Sequence, residues 1–228
     1  MTAGRWNITM EQGALFSYTL YVRNAAGALV DLTNYVARMR VYDDWGGTKI
    51  CEFFESGQGE HLGLIVNGGT AGTLTLSMTA VDTAVITEES GVYEIELLPI
   101  DSWTAILQPA YATINLVAAS KTMTSTTDDV FLAIESARGA IGTDEDLIYI
   151  KVSGCENTGE DSNNGVYILT SVTNSGVTHN VLTMTTAIRG ANNTDDTAMT
   201  ISWGRSEEDN VVRLLQGNFR LAERTLAP

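Results

Sequence analysis

Alternation of apolar and polar residues with a period of two dominates this chain, and it is already plain in residues 6–42. In residues 15–22, Phe16, Tyr18, Leu20 and Val22 fall on one face of an extended segment, and Ser17, Thr19 and Tyr21 on the other. In residues 36–42, Ala37, Met39 and Val41 alternate with Arg38 and Arg40. Each predicted strand can bury one face and wet the other. Between them, N-A-A-G at 24–27 supplies turn chemistry because Asn and Gly tolerate positive φ, and D-L-T-N at 31–34 supplies side chains that bond locally to the backbone. The pattern predicts the opening of an antiparallel β-domain.

The same rhythm continues to residue 100. D-D-W-G-G at 43–47 is a turn, residues 49–54 a strand, and residues 55–60 a polar loop. Residues 61–66 read as a strand with Leu62, Leu64 and Val66 inward. A glycine-rich hairpin turn at 67–72 then leads into a return strand at 73–78, with Leu74, Leu76 and Met78 inward. Thr79, with Asp82 three residues on, has the form of a helix start. The short segment through Ile86 is read as a crossover between two sheets. Residues 91–97 form a strong strand with Tyr93, Ile95 and Leu97 facing in and Glu94 and Glu96 facing out; its natural partner is residues 211–215 with 217–221.

The intervening residues have a periodicity of their own. Strands are expected at 112–118, 146–153, 181–184 and 198–203, and a turn followed by a strand at 163–172, and together they suit a small antiparallel barrel. Residues 130–134 read as a strand, while residues 128–138 could equally make a short helix.

Several of these residues also carry a resemblance. Glu11, Gln12 and Gly13, then residues 30–33 with Tyr35, then residues 37–40, and at the far end residues 213–217 follow the order E-Q-G, V-D-L-T-x-Y, A-R-M-R and R-L-L-Q-G. This order resembles a family of small immunoglobulin-like phage virion proteins encoded among tail and structural genes. The resemblance covers the first hundred residues and the last twenty or so. It implies an all-β, immunoglobulin-like antiparallel sandwich built from residues 1–100 and 206–228, with residues 101–205 inserted in its last hairpin. The stretch I-x-V-S-G followed by N-N-G-V-Y-I-L-T-S-V is similar to a small β-barrel module of other phage structural proteins.

The family resemblance implies a structural role and no chemistry: a virion component, assembled in the host cytoplasm, that mediates adhesion between subunits. The expected place is the tail or the tail-fibre and baseplate attachment region. The alternative is a head decoration or cement protein bridging capsomers. Expected partners are other virion proteins (tail, baseplate, fibre or major capsid protein) in a symmetric homo-oligomer. From another class, the insert could be a module that binds host carbohydrate.

Charge and composition narrow the remaining classes. The chain of 228 residues carries a formal net charge of −15, with twelve acids against five bases in residues 1–100 and the same numbers in 101–205. Such a surface repels phosphate backbones and anionic membranes, so neither nucleic acid nor membrane is an expected partner. No stretch is apolar enough to span a bilayer, and the start lacks the apolar core of a leader. Cys51 and Cys155 lie in different segments and are expected to be reduced structural thiols.

No catalytic motif is present, and neither a cofactor nor a metal is expected. G-x-S-x-G, G-x-x-x-x-G-K-[S/T] and H-E-x-x-H are all absent, and His61 and His179 read as an exposed strand residue and a turn residue. The acidic pairs at 43–44, 128–129, 144–146, 195–196 and 207–209 read as solvated loops, and the run at 160–165 lacks the downstream bidentate Glu of a calcium loop. Trp203 alternates with Met199 and Ile201 and is expected in the core. Four residues remain as interface candidates. Trp45 sits in an exposed turn, and Arg38, Arg40 and Arg213 project from strand faces, where they either pair with neighbouring acids or meet an acidic partner.

Overall fold

The strands expected at the two ends of the chain meet in one sheet. The structure, a computed structural model, describes residues 4–55, 62–106, 114–117, 120–125, 131–140, 146–154, 164–174, 179–184, 199–207 and 210–222. The fold is all-β, and the chain divides into two compact units, residues 1–99 with 210–228 and residues 100–209.

The first unit contains β1 (Gly4–Arg5), β2 (Ile8–Glu11), β3 (Phe16–Tyr21), β4 (Tyr35–Tyr42), β5 (Lys49–Phe54), β6 (Gly63–Asn67), β7 (Thr73–Met78) and β8 (Ser90–Pro99). The second contains β9 (Thr104–Ala105), β10 (Ile114–Val117), β11 (Thr122–Ser125), β12 (Asp146–Ser153), β13 (Gly165–Asn174), β14 (His179–Met184) and β15 (Thr200–Glu207); β16 (Val212–Ala222) then returns to the first.

The nine-stranded sheet of the first unit runs β1-β16-β8-β4-β5-β6-β7-β3, with β2 also pairing β16. β16 is parallel to β1 and β2, β5 is parallel to β6, and the other pairs are antiparallel. The sheet curls around one apolar core. Ala37, Met39 and Val41 of β4, Tyr93, Ile95 and Leu97 of β8, and Leu74, Leu76 and Met78 of β7 all enter that core, as their alternation predicts. Trp6, between β1 and β2 at one end of the strand order, stacks on Tyr18 of β3 at the other, with ring centroids 4.4 Å apart. The two ends of the sheet thus meet across a seam.

β16 holds this arrangement by pairing on both sides. One flank bonds antiparallel to β8 from Val212↔Leu97 to Arg220↔Ser90, and the other bonds to β1 and then β2. In the gap between β1 and β2 the carbonyl of Trp6 points at Gly217 and accepts a hydrogen bond from the buried Tyr93 hydroxyl at 2.9 Å. A Cβ at Gly217 would overlap that carbonyl oxygen, so the close approach requires glycine.

One face assignment differs from expectation. In β6 the residue that enters the core is Ile65, whereas Val66 is exposed and Leu64 lies on the outer side. The cause is register: Ile65 pairs with Leu76, so the core face of β7 dictates the core face of β6. Leu62, just before the strand, still packs against the core. The hairpin between β6 and β7 turns through a 3-10 turn at Gly69–Ala71, and Gly72, at φ +61°, lies against the Val30 carbonyl.

The crossover after β7 is helix α1 (Ala80–Ala84). Thr79 caps it by accepting from the Asp82 amide, and its own hydroxyl donates to the Asp82 carboxylate at 2.6 Å.

In the second unit seven strands pair in the order β10-β11-β14-β13-β12-β15-β9, every pair antiparallel. Ile148, Ile150 and Val152 of β12 and Ile201 of β15 build its core, and Trp203 packs against that core. The ambiguous segment near residue 132 is helical, forming α2 (Leu132–Ala140), and Phe131 and Ile134 are buried there.

Two tests follow from this packing. β1 and β2 have no strand partner among the described residues except β16, so a chain ending at residue 205 should fail to fold in soluble form. A truncated chain with native circular dichroism and a cooperative melt would show β16 to be an appendage. Cys51 lies in the core, where burial, with the Glu52 charge beside it, pushes its thiol up to about 12. The thiolate is the reactive form, so at mildly alkaline pH iodoacetamide should leave Cys51 unmodified in the native protein and label it after urea unfolding. Peptide mass spectrometry reads this directly; rapid labelling of Cys51 in the native state would contradict the packing.

Candidate interface

On the outer face of β5, β4, β8 and β16, register arranges charged side chains in two cross-strand rows. Glu52, Arg40 and Glu94 form one row, and Arg38, Glu96 and Arg213 the other. Within each row the sign alternates from strand to strand, the arrangement that favours neighbouring pairs. Arg38 donates to Glu96 from Nη2 at 2.9 Å, and Arg40 Nη2 bridges Glu94 and Glu96 at 2.9 and 2.8 Å. Arg213 reaches Glu94 at 2.8 Å, and Lys49 holds Glu52 at 2.8 Å.

The structure therefore brings Arg38, Arg40 and Arg213 together around two glutamates. Glu94 and Glu96 face outward as expected, but they are not wet: only 7% and 4% of their surfaces are exposed. Desolvation makes such carboxylates costly unless charges and hydrogen bonds surround them, and three guanidiniums do so here. Burial acts to lower the Arg40 pKa, but attraction to Glu96, reinforced by Tyr42, Glu94 and Glu52, outweighs it and holds the guanidinium above its ordinary value. The charges of Arg38 and Arg40 are neutralised within the chain. Arg213 keeps more freedom, with 49% of its side chain exposed.

Trp45 stands apart from this layer, in the turn between β4 and β5, with 53% of its surface exposed. The turn is held by its own acids. Asp43 accepts from the amides of Asp44 and Thr48, and Asp44 accepts from the amide of Trp45. These two carboxylates satisfy the backbone of the turn that presents the indole. The acidic residues 128–129, 144–145, 160–163, 195–196 and 208–209, with His61 and Cys155, lie outside the described residues. Among the described residues no group of three His, Cys, Asp or Glu side chains is placed to hold an ion.

A second surface escapes sequence reasoning. Leu15, Tyr18 and Tyr21 on or beside β3, Leu29, and Val81 and Val85 of the α1 region are all exposed. The Thr83 hydroxyl donates to the Ala14 carbonyl at 2.8 Å, which sets α1 beside the start of β3, and Arg23 bridges to Leu29 just past its end. At its far end a groove of about 430 Å³ opens between β3 and the β1–β16 pair, lined by Leu20, Val22, Arg23, Leu214 and Leu215. The visible signal was F-S-Y-T-L-Y, a strand without charge.

No protein-family model matches the chain, and no curated protein matches it either. The charged layer makes a quantitative prediction. Glu96→Gln, which removes the charge shared by Arg38, Arg40 and Arg213, should cost about 2 kcal/mol. That is less than the 3–5 kcal/mol of a fully buried pair because the arginines keep some water. Arg213→Ala should cost under about 1 kcal/mol because its side chain is half exposed. Urea unfolding of the two variants reads both values, and equal losses would show that the glutamate layer is not the structural element.

Proposed function

We propose that the protein is a non-enzymatic structural component of a phage particle that joins subunits at the tail or the tail-fibre and baseplate attachment region. In this reading the first unit is an immunoglobulin-like sandwich, and the second is a small β-barrel inserted in its last hairpin. The observation that carries the reading is the gathering of exposed apolar side chains along β3 and α1. On a chain with net charge −15, an apolar rim of this kind serves adhesion.

The motif residues of the family resemblance support the same reading, because they do structural work here. The Gln12 side-chain amide donates to the Ile86 carbonyl, Asp31 accepts from the Thr33 amide, and Asn67 ties the carbonyls of Leu32 and Tyr35 together. Arg38, Arg40 and Arg213 knit β4, β8 and β16. Trp45 remains available as an aromatic anchor.

Cross-linking mass spectrometry on purified particles tests the proposal, with carboxylate-reactive linkers because the chain has 28 acids against 13 lysines and arginines. Links to tail, baseplate or fibre proteins are the expected result. Links to the major capsid protein would make it a decoration or cement protein, and absence from the particle would overturn the structural reading.

A further inference from the structure

We propose that the open edge of β3 is a self-association surface on which a second copy of this chain docks, strand against strand and antiparallel, around a two-fold axis. The inference deepens the subunit-adhesion reading and rests on it for the biological setting only.

Among the described residues β3 pairs on one side alone, with β7. The Val22 amide donates to the Gly72 carbonyl and the Val22 carbonyl accepts from the Val30 amide, so both groups of Val22 are used on the β7 side of the strand. In an antiparallel ladder successive residues bond to opposite sides. The N–H and C=O groups of Ser17, Thr19 and Tyr21 therefore point away from β7, toward the open side. Edge strands are normally blunted by a charge, a proline or a bulge. Residues 16–21, F-S-Y-T-L-Y, contain neither charge nor proline, and their pairing with β7 runs without a register shift.

Charge and the exposed apolar side chains of the strand select a second copy as the occupant. Most surfaces of a −15 chain repel their own kind, but residues 12–22 carry no charge, so self-pairing there sets no like charges opposite one another. An axis through Tyr18 sets Leu15 of each copy opposite Tyr21 of the other, and Ser17 opposite Thr19. Leu15, Tyr18 and Tyr21, on or beside the strand that would pair, are exposed apolar side chains, and docking takes them out of water. Dimerisation would merge two nine-stranded sheets across their β3 edges.

The test uses the full chain in analytical ultracentrifugation over a concentration series. The wild-type protein should form a reversible dimer. Tyr21→Lys, a change at an exposed outer position, should raise the dimer dissociation constant at least about tenfold while leaving circular dichroism and the melt unchanged. Thr19→Cys should give a covalent dimer with a short bis-maleimide that the wild-type chain does not give. A monomeric wild-type chain overturns the proposal, as does a dimer that resists Tyr21→Lys and yields no Thr19→Cys cross-link. If the chain is monomeric yet cross-links to other proteins in particles, this inference fails and the adhesion reading stands. A β3 dimer formed by a chain that is absent from particles would uphold the self-association and remove the virion reading.

Discussion

The last strand of the chain lies between strands made from its beginning, and the first unit depends on that placement. β16 is bonded on one side to β8 and on the other to β1 and β2, so the sheet cannot be completed until residues 212–222 have found partners some two hundred positions earlier. Contacts this distant in sequence must overcome loop-closure entropy before they contribute any stability. The point where the three strands meet is tight: the Trp6 carbonyl rests over Gly217 and takes the Tyr93 hydroxyl. A single buried tyrosine thereby couples the N-terminal, central and C-terminal strands, and its own hydroxyl is pushed up to about 12, mainly by burial.

The two faces of the β4–β8–β16 region solve different problems. The inner face is apolar and contributes through burial, about 1.5–3 kcal/mol for each large side chain taken fully out of water. The outer face carries Arg38, Arg40, Glu94, Glu96 and Arg213, whose attraction does little more than offset the cost of dehydrating them. What such a layer contributes is register. Moving β8 by one residue against β4 would turn Glu94 and Glu96 into the core and Tyr93 and Ile95 out of it, and would strand the arginines without partners. The charges thus select one alignment among several that hydrophobic pairing alone would tolerate.

Most of the first unit was legible from alternation. The strands around residues 36–42, 73–78 and 91–97 have a clean period of two and a single buried face, and the Thr79 cap is local chemistry that survives intact in the fold. The features that alternation misses depend on neighbours. Residues 62–66 are apolar on both faces, so period alone could not choose between Leu64 and Ile65; pairing with Leu76 did. β1 and β9 are two residues long and offer no period to detect, and β2 and β11 alternate over only four residues, too short a run to stand out. For the site, the three arginines stood out as basic residues on strands, and pairing with acids was one of the two readings open to them. That they converge on the same two glutamates, and that those glutamates are dry, follows from β4, β8 and β16 being adjacent. The β3 rim was hidden for a similar reason: only the Thr83–Ala14 hydrogen bond brings α1 beside the start of β3.

The pairing of Leu97 with Val212 has an evolutionary corollary. Residues 100–209 leave and re-enter the first unit at two adjacent strands, so the host sheet registers only that the two ends are close and not what lies between them. Each doubling of an intervening loop costs only about 0.6 kcal/mol in closure entropy. That hairpin is therefore a socket, at which recombination could exchange one folded cassette for another while every bond that closes the host sheet remains in place.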